Sequence, residues 1–411
     1  MSAHAPPPYD DPAVAAARLL VRLGLTGLAI GMPLAALISR RAVFLIFPVG
    51  TALILAGALL RSGGEGLRRF MRGLASPAGL AALLLAAWAA ASLLWTPYLA
   101  EAQEHFAKMA GTLLLAAVAC AALPRKTRIA DFYLFPIGLA LAAAAIIATS
   151  LLGAAAAPAD ADMLLQDRAV TTLAVLLWPS LSALGVRKHW TLAISLTIAV
   201  TAAAIIAWNP PALTALAAGA FAFTAARSEP RRTNQALAVA AALLFLAAPL
   251  FPQLAKFILA AKTADLKGSF QSIAAWAAII KADVPRVFTG HGLDAASRGV
   301  LAGFLPAAAP RTLLFEIWFD LGIVGATACA ALAALGFLAA GRFGKIAGAG
   351  VTATLASVLT LAILGRNTTQ MWWITLIGVA AMACAGVIRT QYQVMRPKAL
   401  MQGAAGRVNS E

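Results

Sequence analysis

The sequence predicts an all-α membrane protein: a polytopic helix bundle of about twelve transmembrane helices, with one large periplasmic loop that carries short helices. Hydrophobic residues make up 62% of the 411 residues and charged residues only 12%, about half of the charged fraction of a soluble domain. The apolar runs also lack the alternation of a barrel strand. Each run therefore predicts a helix, which satisfies its own backbone hydrogen bonds in lipid.

Twelve apolar runs approach the length that a helix needs to cross a bilayer, about 20 residues. Their predicted bounds are 24–39, 43–60, 77–95, 107–123, 132–153, 168–186, 191–208, 212–226, 236–254, 313–340, 346–364 and 371–388. The run 212–226 is short, so we expect it to tilt or to cross only partly. The predicted organisation is residues 1–254 with the first nine spans, the loop 255–311, residues 312–390 with the last three spans, and a tail at 391–411.

The basic residues between the runs predict the orientation of the chain. With the N-terminus in the cytoplasm, most of the Lys- and Arg-rich loops fall on the cytoplasmic side, as the positive-inside rule requires. These residues also account for the net charge of +16, so we expect no nucleic-acid partner. The polar start of the chain lacks the pattern of a cleavable signal peptide. We predict a multi-pass protein of the bacterial inner membrane with both termini in the cytoplasm.

The loop 255–311 differs from the short connections between the other runs. Its stretch 270–283 has apolar residues at helical spacing, which predicts a helix on the membrane surface or packed over the bundle. The sequence Gly290-His291-Gly292 follows. Two glycines around a histidine permit an unusual backbone and the close approach of a ligand. The competing interpretation is an ordinary turn with a histidine that faces solvent.

Two carboxylates, Glu316 and Asp320, stand at the start of the tenth span. Their spacing of four residues places them on one face of the predicted helix. Carboxylates at membrane depth are costly and usually paired, so we expect a nearby arginine, Arg311 or Arg298, as the partner. The pair is therefore either part of a catalytic site or a salt bridge that anchors the helix.

Four of the arginines predicted on the outer side are candidates for the site: Arg168, Arg298, Arg311 and Arg366. Each alone would more often be an interfacial anchor. Together around one vestibule they would form a clamp for phosphate or diphosphate, because guanidinium groups bind such oxygens in pairs. The three cysteines lie inside apolar runs, and no metal-binding or nucleotide-binding motif is present in the sequence. We predict no metal and no cofactor.

Four stretches together resemble motifs of a known family. They are Ser92 to Pro97 before an outer loop, Arg168 to Pro179 as a span that begins with arginine and contains proline, Trp276 to Gly292 as a tryptophan helix followed by Gly-His-Gly, and Leu321 to Gly325 after an acidic residue. Their order and spacing are similar to those of the bacterial O-antigen ligase and O-antigen polymerase family of integral-membrane glycosyltransferases. The predicted topology resembles that family over the whole chain.

The resemblance implies a function at the periplasmic face. Members of the family transfer a glycan from an undecaprenyl-diphosphate carrier to an acceptor hydroxyl, on lipid A-core or on a growing polysaccharide, without a nucleotide or an obligatory metal. The implied partners are a lipid-linked saccharide donor, a lipid or glycan acceptor and membrane lipids. Arginines would hold the diphosphate, and a histidine would activate the acceptor.

The sequence departs from the family pattern at the proposed base. Counting back from Leu321, the family's histidine falls on Arg311 and its glutamine on Glu316, and a phosphate-binding arginine falls on Ser272. Either Glu316 or His291 acts as the general base, or the chain has altered or no ligase chemistry. The alternatives are a carrier or flippase for a lipid or small solute, and a non-catalytic member of the polysaccharide assembly machinery. The first nine runs lack midplane acidic residues, which disfavours the carrier.

Overall fold

The structure, a computed structural model, describes residues 12–61, 64–124, 133–152, 160–252, 267–365 and 370–394. All regular secondary structure in these ranges is helical. The helices up to the large loop are α1 (Pro12–Thr26), α2 (Met32–Ile38), α3 (Arg40–Arg61), α4 (Glu65–Leu74), α5 (Pro77–Ser92), α6 (Leu99–Ala122), α7 (Leu134–Leu152), α8 (Asp160–Val186), α9 (Trp190–Ile206), α10 (Pro210–Ser228) and α11 (Pro230–Ala247).

The loop and the C-terminal part contribute six further helices. They are α12 (Lys267–Ala282), α13 (Arg286–Thr289), α14 (Ala295–Leu301), α15 (Leu313–Ala340), α16 (Lys345–Ile363) and α17 (Met371–Val394). The helix predicted over 270–283 is confirmed as α12. Residues 253–266, which open the predicted loop, lie outside the described ranges.

In the described parts of the chain, nine helices are long and apolar enough to cross a membrane. A tenth crossing is reached if α4 and α5, which meet at an angle of 74°, are counted as one broken span. The predicted run 191–208 forms α9, whose 17 residues extend over about 26 Å, less than the apolar thickness of a bilayer. The described part of the chain thus forms a multi-pass membrane helix bundle with nine or ten candidate spans.

Helix α8 forms the centre of the N-terminal part. In its most apolar 18-residue window, 94% of the residues are buried, although they would suit a lipid environment. It packs against α2, α7, α9, α10, α16 and α17. Its indole at Trp178 donates a hydrogen bond of 2.7 Å to Ser357 on α16. Because this helix is buried on all sides, its buried polar residues are hydroxyl side chains such as Thr171 and Ser180, which donate hydrogen bonds to carbonyls of the helix itself.

Helix α15 organises the C-terminal part and carries the acidic pair. It packs against α5, α11 and α16, and the loop helices α13 and α14 lie against its first half. The indole of Trp318 donates a hydrogen bond of 2.7 Å to the carbonyl of Phe245 at the end of α11. We call the end of the bundle that carries α12–α14 the loop end.

The opposite end of the bundle is rich in arginine. Arg69 on α4 and Arg389 on α17 both donate hydrogen bonds to the carbonyl of Leu123, which follows the last turn of α6. The guanidinium of Arg227 lies over the indole ring of Trp190, 4.3 Å from its centroid. We call this the basic end. Its charges match the side that the sequence predicts to be cytoplasmic.

Candidate functional site

A break in α15 organises the loop end. Gly322 has φ 63° and ψ −157° inside a helix that otherwise continues from Leu313 to Ala340. A Cβ atom there would lie 2.6 Å from the carbonyl oxygen of Phe288, so the position admits only glycine. Because the break removes local helical hydrogen bonds, the carbonyls just before it must find other partners.

Three successive carbonyls before the break accept hydrogen bonds from distant residues. The amide of His291 donates to Phe319 over 2.8 Å, and the amide of Gly292 donates to Asp320 over 3.0 Å. The indole of Trp88 on α5 donates to Leu321 over 2.8 Å. We call residues 290–296 the docking segment, because they attach the loop to the broken helix.

The docking segment is also fastened to the end of α5. The hydroxyl of Ser92 accepts a hydrogen bond of 3.1 Å from the amide of Leu293. The hydroxyl of Thr96 donates one of 2.9 Å to the carbonyl of the same residue. Gly292 has φ 97°, and a Cβ atom on it would lie 2.5 Å from Thr96 Cα. The sequence predicted that the two glycines permit the close approach of a ligand. In the structure they instead let the loop backbone pack against the protein's own backbone, Gly290 at Asp320 and Gly292 at Thr96.

The side chain of Asp320 binds the backbone of the docking segment. Its carboxylate accepts hydrogen bonds of 3.0 Å from the amide of Asp294 and 2.7 Å from the amide of Ala296. The carboxylate thereby satisfies amides at the start of α14, as acidic caps commonly do. The arginine expected to pair with it does not: Arg298 binds Asp294 instead, with Nε 3.2 Å from the carboxylate.

Asp294 is a second buried carboxylate, with an exposed fraction of 4%. It accepts a hydrogen bond of 2.6 Å from Ser297, and Nδ1 of His105 on α6 lies 3.4 Å from it. Burial by itself would raise the pKa of Asp294, but hydrogen bonds from His105 and Ser297, together with Arg298, outweigh it, so the pKa lies below its usual value. His105 ties α6 to the loop. Sequence reasoning missed it because its partner is remote in the chain.

His291 has both ring nitrogens next to acceptors. Nδ1 lies 3.1 Å from the carbonyl of Phe319, and Nε2 lies 3.6 Å from the carboxylate of Asp283. The ring stacks on that of Phe319, with centroids 4.0 Å apart and planes 6° from parallel. Burial lowers the pKa of His291, and the contacts with Phe319 and Asp283 offset this only in part.

The side chain of His291 lines a small cavity of about 30 Å³ between α12 and α15. Its walls include Trp276 and Ile279 from α12 and Phe315 from α15. Such a volume holds about one water molecule. The space beside the imidazole is thus too small for a saccharide.

The two carboxylates of α15 line a much larger cavity of about 460 Å³. Glu316 and Asp320, each with an exposed fraction of 5%, lie at its loop end. The other wall residues are apolar and come from α5, α6, the docking segment, α11, α15, α16 and α17. On α15 the wall runs from Leu313 to Phe337, about 35 Å along the helix. We call this the deep cavity.

The structure separates the two candidate bases. Glu316 lines the deep cavity, and His291 lines the small cavity on a neighbouring face of α15. Glu316 thus borders a cavity of about 460 Å³, whereas His291 borders one of about 30 Å³.

The four predicted arginines lie in different surroundings. Arg298 is bound to Asp294 and its side chain is 41% exposed. Arg311 is exposed, and a Cβ atom on Gly365 would point to within 3.9 Å of its carbonyl oxygen. Arg168 is half-buried in the third turn of α8, beside Asp167, which accepts a hydrogen bond of 2.8 Å from Asn209.

Arg366 lies outside the described residues. The two cavities described above are not lined by Arg168, Arg298 or Arg311. Their convergence on a diphosphate stays a prediction. Within the described ranges, no group of three or more His, Cys, Asp or Glu side chains is placed to hold a metal ion.

Together, the helical architecture, the candidate spans and the deep cavity define a multi-pass membrane protein with a buried acidic site at one end of the bundle. Comparison of the chain with known protein families and with curated proteins finds no match.

Proposed function

We propose that this protein is a glycosyltransferase of the O-antigen ligase type in the bacterial inner membrane, with both termini in the cytoplasm. It would transfer a glycan from an undecaprenyl-diphosphate carrier to an acceptor hydroxyl at the periplasmic loop end. One observation carries the proposal: the deep cavity is apolar along its length and acidic only at its loop end. A lipid-linked saccharide has a matching arrangement of polarity, because its long tail is apolar and its reactive head is polar.

The tail fits the apolar walls of the deep cavity. Their α15 side is about as long as a bilayer's apolar core is thick. Leu113 in the wall is exposed at the surface of the bundle, which suits lateral entry of a lipid chain from the membrane. An isoprenoid chain and the aliphatic side chains of the walls attract each other by dispersion when they pack closely. The lipid chain would therefore be held without polar contacts.

The chemistry would take place at Glu316. The acceptor oxygen attacks the first sugar carbon of the donor, and the bond from that carbon to the diphosphate oxygen breaks with its electron pair on the leaving diphosphate. The acceptor proton moves to the carboxylate of Glu316, which acts as general base. Asp320 is already occupied by two backbone amides, so it positions the loop and is a poorer base.

A positive group near the leaving diphosphate is needed to offset the acidic pair. Arg311 precedes Glu316 by five residues, and its carbonyl oxygen lies near Gly365, the residue before Arg366 in the sequence. Guanidinium groups at this position would stabilise the charge that grows on the diphosphate. This is the role that we propose for Arg311 and Arg366, with Arg168 and Arg298 as further predicted contributors.

The test is transfer by the purified full-length protein in liposomes, with a polyprenyl-diphosphate-linked oligosaccharide as donor, a lipid A-core acceptor, and mass spectrometry of the product. We expect Glu316→Gln to slow transfer about 100-fold or more, because a positioned general base contributes that much. Glu101→Gln, which changes an exposed carboxylate at the same end, is the matched control and leaves the rate unchanged. We expect His291→Asn to retain most of the activity. Full activity of the Glu316→Gln variant would exclude this mechanism.

A second candidate is a carrier or flippase for a lipid, and the break in α15 favours it. Interrupted helices beside buried carboxylates are typical of the binding sites of secondary transporters. The discriminating measurement uses a fluorescent lipid-linked saccharide in the same liposomes without acceptor. A carrier moves it between leaflets, whereas a transferase does not and instead consumes it when acceptor is added.

A further inference from the structure

Helix α4 at the basic end has two chemically opposite faces. Glu65, Arg68, Arg69 and Arg72 recur at helical spacing on one face. The other face consists of four apolar residues at the same spacing: Leu67, Phe70, Met71 and Leu74. This pattern is typical of a helix that lies at an interface between water and an apolar phase.

The placement of α4 agrees with such an interface. It meets α5 at 74°, and Ser76 caps the start of α5 with a hydrogen bond of 3.1 Å from the amide of Gly79. The far end of α5 carries Trp88, which binds the broken helix at the loop end. Helix α4 therefore runs nearly perpendicular to α5 at the basic end, which is the orientation expected of a helix that lies along a membrane surface.

One side of α4 is fixed to the bundle and two sides are uncovered. Arg69 donates a hydrogen bond of 2.9 Å to the carbonyl of Leu123, which anchors the helix to the end of α6. The apolar side chains of Leu67 and Met71 are 66% and 55% exposed. On the polar face, Arg68 and Arg72 are exposed, and in the described chain no carboxylate pairs with either.

We propose that α4 is a binding site for anionic phospholipid headgroups of the leaflet at the basic end. Arg68 and Arg72 would bind the lipid phosphates, while Leu67 and Met71 enter the acyl region beside them. Charge complementarity selects an anionic ligand. The uncovered apolar face selects a lipid, because a soluble polyanion would neutralise the arginines and leave Leu67 and Met71 in water.

The test is titration of the purified full-length protein in neutral detergent with phosphatidylglycerol, read out by native mass spectrometry of the bound lipid. We expect the double variant Arg68→Gln/Arg72→Gln to bind phosphatidylglycerol roughly 30-fold more weakly, since each basic residue near a lipid surface contributes about a fivefold change. Arg231→Gln/Arg232→Gln is the matched control, because it removes the same charge from exposed positions at the same end. The control retains wild-type affinity.

Two further variants and two further ligands make the result decisive. Arg68→Lys/Arg72→Lys keeps both positive charges, so we expect its affinity for phosphatidylglycerol to stay within about threefold of wild type. This variant tests the role of charge even if the glutamine variant is unstable. Leu67→Ser/Met71→Ser keeps the arginines, and we expect it to bind phosphatidylglycerol more weakly than wild type does. The binding of inorganic phosphate does not weaken in this variant. The proposal is overturned if the glutamine variant binds as well as wild type, if the control weakens equally, or if phosphatidylcholine or inorganic phosphate binds as tightly as phosphatidylglycerol.

Discussion

The indole Nε1 of Trp88 donates a hydrogen bond of 2.8 Å to the carbonyl of Leu321, the residue immediately before the break in α15. The two residues are 233 positions apart in the chain. The contact satisfies a carbonyl that the break has freed, and it fixes the distance between α5 and α15 at the mouth of the deep cavity. Both helices supply wall residues of that cavity.

Replacing Trp88 by phenylalanine tests this contact. The substitution keeps an aromatic ring and leaves the carbonyl of Leu321 without its donor, which costs about 1–3 kcal/mol. We expect a fall of that size in the free energy of unfolding, measured by equilibrium unfolding in mixed micelles. Trp208→Phe is the control, because that indole is 79% exposed. Equal stabilities for the two variants would contradict the assigned role of Trp88.

Gly290 tests how closely the docking segment approaches α15. Its φ is 74°, and a Cβ atom there would lie 2.1 Å from the carbonyl oxygen of Asp320. We expect Gly290→Ala to lower the free energy of unfolding by roughly 3–5 kcal/mol, the sum of backbone strain and the displacement of packed backbone. Proteolysis of the loop would accelerate in parallel.

Gly303 supplies the control for that substitution. It also has a positive φ, 77°, but open space surrounds the position of a Cβ atom. Gly303→Ala therefore measures the backbone strain alone, about 1–3 kcal/mol. The close approach is contradicted if both alanine variants lose the same amount of stability.

The buried Asp294 predicts a dependence of stability on pH. Because its pKa is lower in the folded protein than in the unfolded chain, the ionised carboxylate stabilises the fold above the unfolded value near pH 4, and this contribution is lost as the pH falls through the folded value. We expect the difference in stability between wild type and Asp294→Asn to shrink as the pH is lowered from 6 to 3.

The variant Ser297→Ala separates Asp294 from other titrating groups. It removes the hydrogen bond of 2.6 Å to the carboxylate without adding or removing a titratable side chain. The pKa of Asp294 then rises towards its usual value, and the loss of stability on acidification becomes smaller. A pH profile identical to that of wild type would rule out this contribution from Ser297.

The predicted diphosphate clamp is tested by donor kinetics. If Arg168 and Arg366 bind the same donor phosphates, Arg168→Ala and Arg366→Ala each raise the donor KM about tenfold or more, and the double variant loses less than the sum of the two effects on a free-energy scale. Lys108→Ala is the control, because Lys108 is exposed and pairs with Glu104 on the same helix. Unchanged donor KM in both arginine variants would remove these residues from the site.

Several elements followed from local sequence. The helix predicted over 270–283, which the structure has as Lys267–Ala282, followed from apolar residues at helical spacing, a property of the segment alone. The number of spans was less predictable. The run 77–95 shows why: its helix α5 has only 16 residues, and it forms a candidate span only together with the basic helix α4, which meets it at 74°.

The site was predictable only in its components. The spacing of Glu316 and Asp320 placed both on one helix face, and both line the deep cavity. The sequence did not show that Asp320 would be engaged by backbone amides, nor that His105 would lie beside Asp294. Those partners come from α6 and the loop, far away in the chain.

The sequence by itself determined that the chain is helical, that it prefers lipid and where its basic residues collect, because hydrophobicity and helical periodicity are local properties. The tertiary structure alone decided three features of the site. Gly322 breaks α15, amides of the docking segment donate hydrogen bonds to carbonyls that the break frees, and His291 and Glu316 border different cavities. The physical reason is that a buried polar group must find a partner, and the partner here is supplied by helices that only folding brings together.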